Sequence, residues 1–461
     1  MENSRRSNRG IEENTLAIFD SSGVKDARDV NDDRLAFLEA VRASSIVPQI
    51  GTAPTSKMLN AIFQILKDGT SLELIMASYQ LLIELEKRFP RVYLSKFDIP
   101  KSSSGATVEL IVINEAWSPF ALGSESAYSE RNLANRSSDE LLDSLGFSLL
   151  LQGIAQLYNE MNLQVLDTKS LGNMLLFQFL VNVLEGDFLP RNTIYNETKN
   201  WVFLRESLLS MLLGSRRISY KSLIKDCLSI ISERCRKDLE NSSIKTVDNS
   251  DAAALGIALA ELERGTCIAV QKLLVLIMEL DKSKKQADMQ GSTSRSDGSR
   301  IPLMEVILDE LTYDEDLLSS FLQVFCDPKW RLEIILQYFS KYLTKPSVRT
   351  RKSNNSSDDA TFHGVLKCFS NVTSAKSIVK KMSIEIAQLL LANGFNAFIS
   401  LQEAGGISVL QICKDIVSAF HNLRIIDDID RQLCTRTRAI RHGRTILYFH
   451  CGKHTKSFHF C

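Results

Sequence analysis

The stretch from Ile301 to Lys352 constrains the fold most, because its spacing predicts three helices following one another with almost no connecting loop. Pro302 suits a first helical position, where the amide hydrogen it lacks has no intrahelical use, and Leu303, Val306, Ile307 and Leu311 then repeat at helical spacing. Asp314, Glu315 and Asp316 place carboxylates at the positive end of a second helix that buries Leu317, Leu318, Phe321, Leu322 and Phe325. Asp327 and Pro328 restart the chain as cap and first residue of a third helix. Its broad apolar face carries Trp330, Ile334, Ile335, Tyr338, Phe339 and Tyr342, and Pro346 stops it. Amphipathic helices this close bury their faces only on one another and on neighbours. A stacked helical scaffold follows.

The rest of the chain reads the same way. Asn31 and Asp32 are candidate caps for a helix carrying Leu35, Leu38 and Val41; Thr55 opens one with Leu59, Ile62, Phe63 and Leu66 that Gly69 ends. Thr70 and Glu73 have capping-box spacing ahead of Leu74, Ile75, Leu81, Leu82 and Leu85. Further helices are predicted near Leu141 to Met161, Ser170 to Leu184, Lys199 to Leu213, Ser219 to Arg236, Ala252 to Leu280, Ser377 to Ala392 and Ser408 to Leu423. The one strand signal is Thr107 to Ile113, so the sheet content is one short strand or hairpin at most. Helix starts recur without a fixed period, and alternating strand and helix are absent. The expected class is all-α: an irregular array of the α-solenoid kind. Its organisation reads as a disordered N-terminus over 1–12, an N-terminal helical lobe over 13–122, a main array over 140–430 with loops near 237–250, 281–300 and 346–360, and a poorly structured basic tail over 431–461.

Composition narrows the chemistry. The 461 residues carry 55 basic and 55 acidic side chains, but seven of the bases and none of the acids lie in 431–461. The first 430 residues are therefore acidic by seven charges, which argues against a protein that coats nucleic acid with its whole surface. No apolar run reaches the ~18 to 20 residues of a membrane-spanning helix, and the polar N-terminus has no secretory pattern, so the chain reads as intracellular. Nine irregularly spaced cysteines then read as reduced thiols, with Cys227, Cys235, Cys267, Cys326, Cys368 and Cys413 in or near apolar helical patterns.

No phosphate loop, nucleophile elbow, HExxH or paired CxxC occurs, and neither a catalytic residue nor a cofactor is expected. The acidic cluster Asp309, Glu310, Asp314, Glu315 and Asp316 lacks the alternating ligands and central glycine of a calcium loop, and reads as a solvated helix start. Cys451, His454, His459 and Cys461 have metal-ligand composition, but their spacing matches no common zinc module, so no metal is assigned. Lys345, Arg349, Arg351 and Lys352 belong to a stretch free of acids between Glu333 and Asp358. They are a candidate segment for DNA phosphates or for a nuclear import receptor, against the alternative of a solvated loop.

Several longer passages carry a resemblance. NDDRLAFLEAVRASSIVP (31–48), NEAWSPF (114–120), LGNMLLFQFL (171–180), FLPRNTIYNETKNW (188–201) and the block from LLVLIMELDK at 273 to SKYLTKP at 346 are similar to the plant family of negative regulators of systemic acquired resistance. The likeness runs from about residue 11 to about residue 430. It implies a nuclear, non-enzymatic protein with an armadillo-like helical scaffold that represses pathogenesis-related genes and restrains homologous recombination. It also implies membership of a structural-maintenance-of-chromosomes complex of the five-six type, beside a second non-ATPase subunit. After Asp430 the sequence departs from the family's shorter, lysine- and alanine-containing close, and an alternative transcript end or a mispredicted exon junction is the expectation there. Two functions are weighed on this basis: an interaction scaffold anchored by buried aromatics such as Trp330, and a direct DNA-binding repressor using Lys345, Arg349, Arg351 and Lys352 on promoter DNA or chromatin.

Overall fold

The computed structural model describes residues 13, 27–49, 51–96, 108–113, 116–122, 141–160, 167–241, 250–294, 300–343, 361–401, 410–429 and 431. The chain divides into two compact units, Met1–Glu310 with Gln323–Phe325, and Leu311–Leu322 with Cys326–Cys461. Among the described residues everything regular is helical apart from one antiparallel ribbon and a single bridge between Phe120 and Leu142. The all-α expectation holds.

The first unit opens with α1 (Ala27–Ser45), α2 (Ser56–Asp68) and α3 (Leu72–Arg88), which pack on one another. Thr55 caps α2 as the sequence predicts, its side chain accepting from the Met58 amide at 3.4 Å. The capping box at Thr70 does not form. Ser71 is the residue that precedes α3, and it makes no side-chain cap. Nor do Asn31 and Asp32 begin a helix, because α1 already starts at Ala27. Arg42 on α1 grips the Glu84 carboxylate of α3, and Arg88 donates to the carbonyls of Ile46 at 2.7 Å and Gln49 at 2.8 Å, so the chain leaving α1 is tied to the end of α3. Pro90 then forces the chain out of the helix. It enters β1 (Val92–Lys96), which pairs antiparallel with β2 (Val108–Val112), Val92 opposite Val112 and Leu94 opposite Leu110.

After α4 (Ser144–Asn159) comes α5 (Thr168–Thr198), the centre of the unit. It packs against α2, α3, α4, both strands, α6 (Val202–Arg205), α7 (Leu208–Gly214) and α9 (Ser250–Met289), while α8 (Tyr220–Asn241) packs on α4 and α9. A helix surrounded in this way needs apolar residues on every side. Its core includes Met174, Phe177, Phe179, Leu180, Leu184 and Phe188. The sequence reading ends this helix at Leu184, ahead of Gly186 and Pro190, yet it runs to Thr198. An interior proline costs about 3 kcal/mol; continued burial of Phe188, Arg191, Ile194 and Tyr195 outweighs that. The helix stops at Lys199, whose left-handed backbone (φ 56°) lets its amide close on the Tyr195 carbonyl at 2.7 Å.

Helix α9 also outruns the sequence reading, since Asp281 to Met289 are helical rather than the start of a loop. Asp281 shows why. Its Oδ2 accepts from the Leu303 amide at 2.7 Å and its Oδ1 from Arg300, so this polar residue caps α10 (Leu303–Tyr313) from within α9. The division between the units falls inside α10 and α11 (Glu315–Val324).

In the second unit α12 (Pro328–Tyr342) has Asp327 as its cap, accepting from the Trp330 amide at 2.8 Å, and packs chiefly on α15 (Ile384–Leu401). Between them in sequence lie α13 (Phe362–Cys368), which the sequence reading misses, and α14 (Val372–Val379), so that the one helix predicted near Ser377 to Ala392 is divided between α14 and α15; residues 410–429 form α16. By length and composition α15 is apolar enough to cross a membrane, with mean hydropathy 1.4 over 18 residues. Here it serves as a packing helix that buries Ile386, Ala387, Leu390, Leu391 and Ala397. Gly394 is required there: a Cβ would lie 2.7 Å from Phe362 Cε2 and 3.4 Å from Ile335 Cγ2.

Two substitutions on α5 test the surrounded helix. Phe177→Ala, with no exposed side-chain surface, is expected to cost about 3–5 kcal/mol in denaturant unfolding, whereas Leu189→Ala, 48% exposed, stays within ~0.5 kcal/mol. Equal effects would contradict the burial pattern.

Candidate functional site

The charged centre of the first unit grows out of α5. Asp187 lies on its buried surface, and Arg191 one turn later brings Nε to 3.3 Å from Asp187 Oδ1. The other carboxylate oxygen accepts from the Leu208 amide at 2.8 Å, and Arg191 Nη1 donates to the Phe203 carbonyl at 3.2 Å. One ion pair thus holds α6 and α7 against α5. Arg91, set down just after the Pro90 break, approaches the same Asp187 oxygen at 4.0 Å.

Glu86 completes the group from the last turn of α3. Unlike Asp187 it makes no hydrogen bond or ion pair with any described residue, although Asp187 and Arg91 act on it electrostatically. Burial pushes its carboxyl up to about 7, with Asp187 adding to the rise and Arg91 opposing it. Glu86 and Arg91 are the charged groups lining a cleft of about 260 Å³, whose apolar walls include Leu82, Phe89, Trp117 and Phe179. Trp117 is fixed by its indole N–H, which donates to Asn60 Oδ1, and by Phe63, whose ring meets it edge-on at 5.7 Å. Ala116 and Trp117 of the passage NEAWSPF therefore share this cleft with Phe179 of LGNMLLFQFL, and FLPRN supplies Arg191 to the adjoining ion pair. The apolar walls thus enclose an acid, Glu86, and a cation, Arg91, whose buried Nε has no hydrogen-bond partner among the described residues either.

A second cleft, about 330 Å³, lies within the second unit beside His363 and Asp415. His363 Nδ1 is 3.3 Å from Asp415 Oδ2, and Asp415 Oδ1 also accepts from Gln411 at 2.7 Å. A histidine and an aspartate so placed can orient an imidazole, but the nearby Ser370 hydroxyl donates to the Lys367 carbonyl at 2.7 Å and so closes the end of α13.

The residues singled out in the sequence fare differently. Lys345, Arg349, Arg351 and Lys352 lie outside the described residues, as do Cys451, His454, His459 and Cys461. Trp330 is buried as expected of an anchor. In the acidic cluster, Asp314 Oδ1 caps α11 through the Leu317 amide at 2.9 Å, and Glu310 takes Lys225 at 3.2 Å. Among the described residues no group of three or more potential ligands forms a metal site. Cys227 is fully enclosed, and burial raises its thiol well above the usual range. Sequence reasoning misses Glu86, Arg91 and Asp187. The available signal was one acid with an arginine four residues on, set inside the apolar run of α5.

Comparison with known proteins places the chain. The family model for the SNI1 middle domain matches residues 91–327, and that for the SNI1 C-terminal domain matches residues 343–449. A curated protein of Arabidopsis thaliana, "Negative regulator of systemic acquired resistance SNI1", is 47% identical over 420 residues, covering 90% of each chain. The chain belongs to the SNI1 family. The SNI1 middle-domain match begins at Arg91 and contains Trp117, Phe179, Asp187 and Arg191, with Glu86 just ahead of it. The SNI1 C-terminal match continues past Asp430, where the sequence reading put the departure, as far as residue 449. No solved structure matches the chain.

Two measurements probe the charged centre. Asp187→Ala leaves Arg191 buried without its partner and is expected to destabilise by about 3–5 kcal/mol. Glu86→Gln acts in the opposite direction. The folded protein holds the Glu86 proton to higher pH than the unfolded chain does, so native stability falls as pH rises from about 5 to 7, and the deficit persists above that. The glutamine variant should therefore be more stable than the parent at pH 8, on the order of 1–3 kcal/mol, and converge with it near pH 5. Urea unfolding at the two pH values decides this.

Proposed function

We propose that this chain is a nuclear, non-enzymatic scaffold that negatively regulates plant systemic acquired resistance, repressing pathogenesis-related genes and restraining homologous recombination. In this reading it works as a non-ATPase subunit of a structural-maintenance-of-chromosomes complex involved in DNA repair, bound to a second non-ATPase subunit. The observation that carries the regulatory part is the 47% identity, across 90% of both chains, to a relative named as a negative regulator of that response. The partner assembly rests on the sequence resemblance described above.

Helix α4 supports a partner-binding role. Its sixteen residues, SLGFSLLLQGIAQLYN, contain no charged side chain. One face packs on α5 and α8, while Leu145 and Leu149 stand 42% and 55% exposed, followed by exposed Gln152 and Gln156 on the same side. Leucines one turn apart on an uncharged surface are what a partner helix covers. The acidic balance of the first 430 residues also favours proteins over DNA as the principal contact.

The expression of this chain in plants that lack the Arabidopsis relative is the direct test, with repression of pathogenesis-related transcripts as the readout. The parent restores repression. The pair Leu145→Lys and Leu149→Lys keeps its melting temperature yet loses the chromosome-complex subunits on purification from nuclei. Recovery of those subunits undiminished would remove α4 from the interface, and failure of the parent to repress would overturn the regulatory reading.

The DNA-binding alternative rests on the acid-free segment around Lys345, Arg349, Arg351 and Lys352. Replacing Arg349, Arg351 and Lys352 by glutamine distinguishes three outcomes. Loss of DNA affinity with the salt slope reduced by roughly 2–3 marks phosphate contacts. Cytoplasmic accumulation with protein binding intact marks an import signal. No change in either marks a solvated loop.

A further inference from the structure

The cleft beside Glu86 carries an inference that does not depend on which assembly the chain joins. The nearby acids of α3 and α5 are matched: Glu84 by Arg42, Glu185 by Lys272 at 2.7 Å, and Asp187 by Arg191 and the Leu208 amide. Glu86 alone of these acids meets no hydrogen-bond donor among the described residues; Arg91, the cleft's other charged group, acts on it electrostatically, stands 4.0 Å from Asp187 and leaves its Nε without a hydrogen-bond partner. With Arg91 offering charge but no hydrogen bond, the half-buried carboxylate still lacks a donor, which a charged donor from outside can supply.

Shape and wall chemistry narrow the class of cation. At about 260 Å³ the cleft is smaller than the ~300–1,000 Å³ typical of small-molecule sites, a size that suits one long side chain. Its walls are apolar along Leu82 and Leu85 and aromatic at Phe89, Trp117 and Phe179. A tetramethylene stem buries well on such walls, and aromatic rings favour an ammonium group. We propose that this cleft receives a lysine side chain of a partner protein, the stem lying against the apolar walls and the ammonium meeting Glu86. Burial keeps Glu86 protonated to about pH 7, and the arriving ammonium favours its ionised form, so the contact strengthens as the pH passes that point. Asp187 and Arg191 of α5, with Arg91, are the other charged groups of this centre.

The test uses the full chain carrying isotope-labelled tryptophan at pH 8, with the Trp117 indole resonance assigned through Trp117→Phe. The probe is a blocked Ala-Lys-Ala peptide, compared with the same peptide acetylated on its lysine. A saturable shift of the Trp117 resonance is expected with the free lysine. Binding should weaken by about tenfold or more on acetylation and in Glu86→Gln, which stays folded, but not in Glu84→Gln. The proposal is overturned by equal response to both peptides, by undiminished binding to Glu86→Gln, or by equal loss in Glu84→Gln. It is equally overturned by a Trp117 resonance that never moves, the result if a side chain of this chain already fills the cleft.

Discussion

The buried carboxylate of Asp187 is the interaction on which the first unit depends. Helix α5 is enclosed by other elements along most of its length, so a charge on its buried side, as at Asp187, is held away from water and needs its compensation locally. Arg191 supplies that from the next turn, and each partner then spends its remaining hydrogen-bonding capacity on the backbone of α6 and α7. Two short helices that could not persist alone are thereby held in place. Hydroxyls and amides repeat the pattern on the far side of α5. Tyr195 donates to the Ser283 carbonyl at 2.8 Å, and Gln178 donates to Leu262 at 3.2 Å and Thr266 at 3.1 Å, tying α9 to the same hub. Apolar burial supplies most of the free energy, and these directional contacts fix the register.

Against that background the contrast between Asp187 and Glu86 is informative. The two acids lie within electrostatic reach of each other and share the neighbourhood of Arg91, yet only Asp187 is fully provided for. A glutamine at 86 would keep the shape without the burial cost of a charge, so ionised Glu86 is a cost to the fold.

Much of the helical architecture was legible because local signals dictate it. Asp327 and Thr55 cap the helices expected of them, and Leu303, Val306, Ile307, Phe321, Ile334 and Phe339 are buried in the phase that their spacing sets. What escaped was decided by tertiary structure. Pro190 reads as an end to a helix, but burial of Phe188, Arg191, Ile194 and Tyr195 carries α5 through it. Asp281 reads as the start of a loop, but it caps a different helix from within α9. The strand Val92–Lys96 has no partner close in sequence, so its pairing with Val108–Val112 leaves no local pattern to read. The cleft was illegible for the same reason: Glu86, Arg91, Trp117 and Asp187 converge only after α3, the ribbon and α5 have packed.

A helical scaffold has its free energy committed to the core, so recognition falls to whatever the core does not use. Here that remainder takes two forms with different physics. The uncharged face of α4 offers area, and area binds a broad apolar partner with little dependence on salt. In the proposed lysine contact the cleft, lined by Glu86 and Arg91, would add little area but select by charge, because a partner lacking the cation leaves the Glu86 carboxylate without a donor. Binding by surface and selecting by charge are separable in principle, and both sites lie on helices packed directly against α5. Both proposed contacts therefore rest on one support: helices packed against α5 carry the exposed leucines and line the cleft.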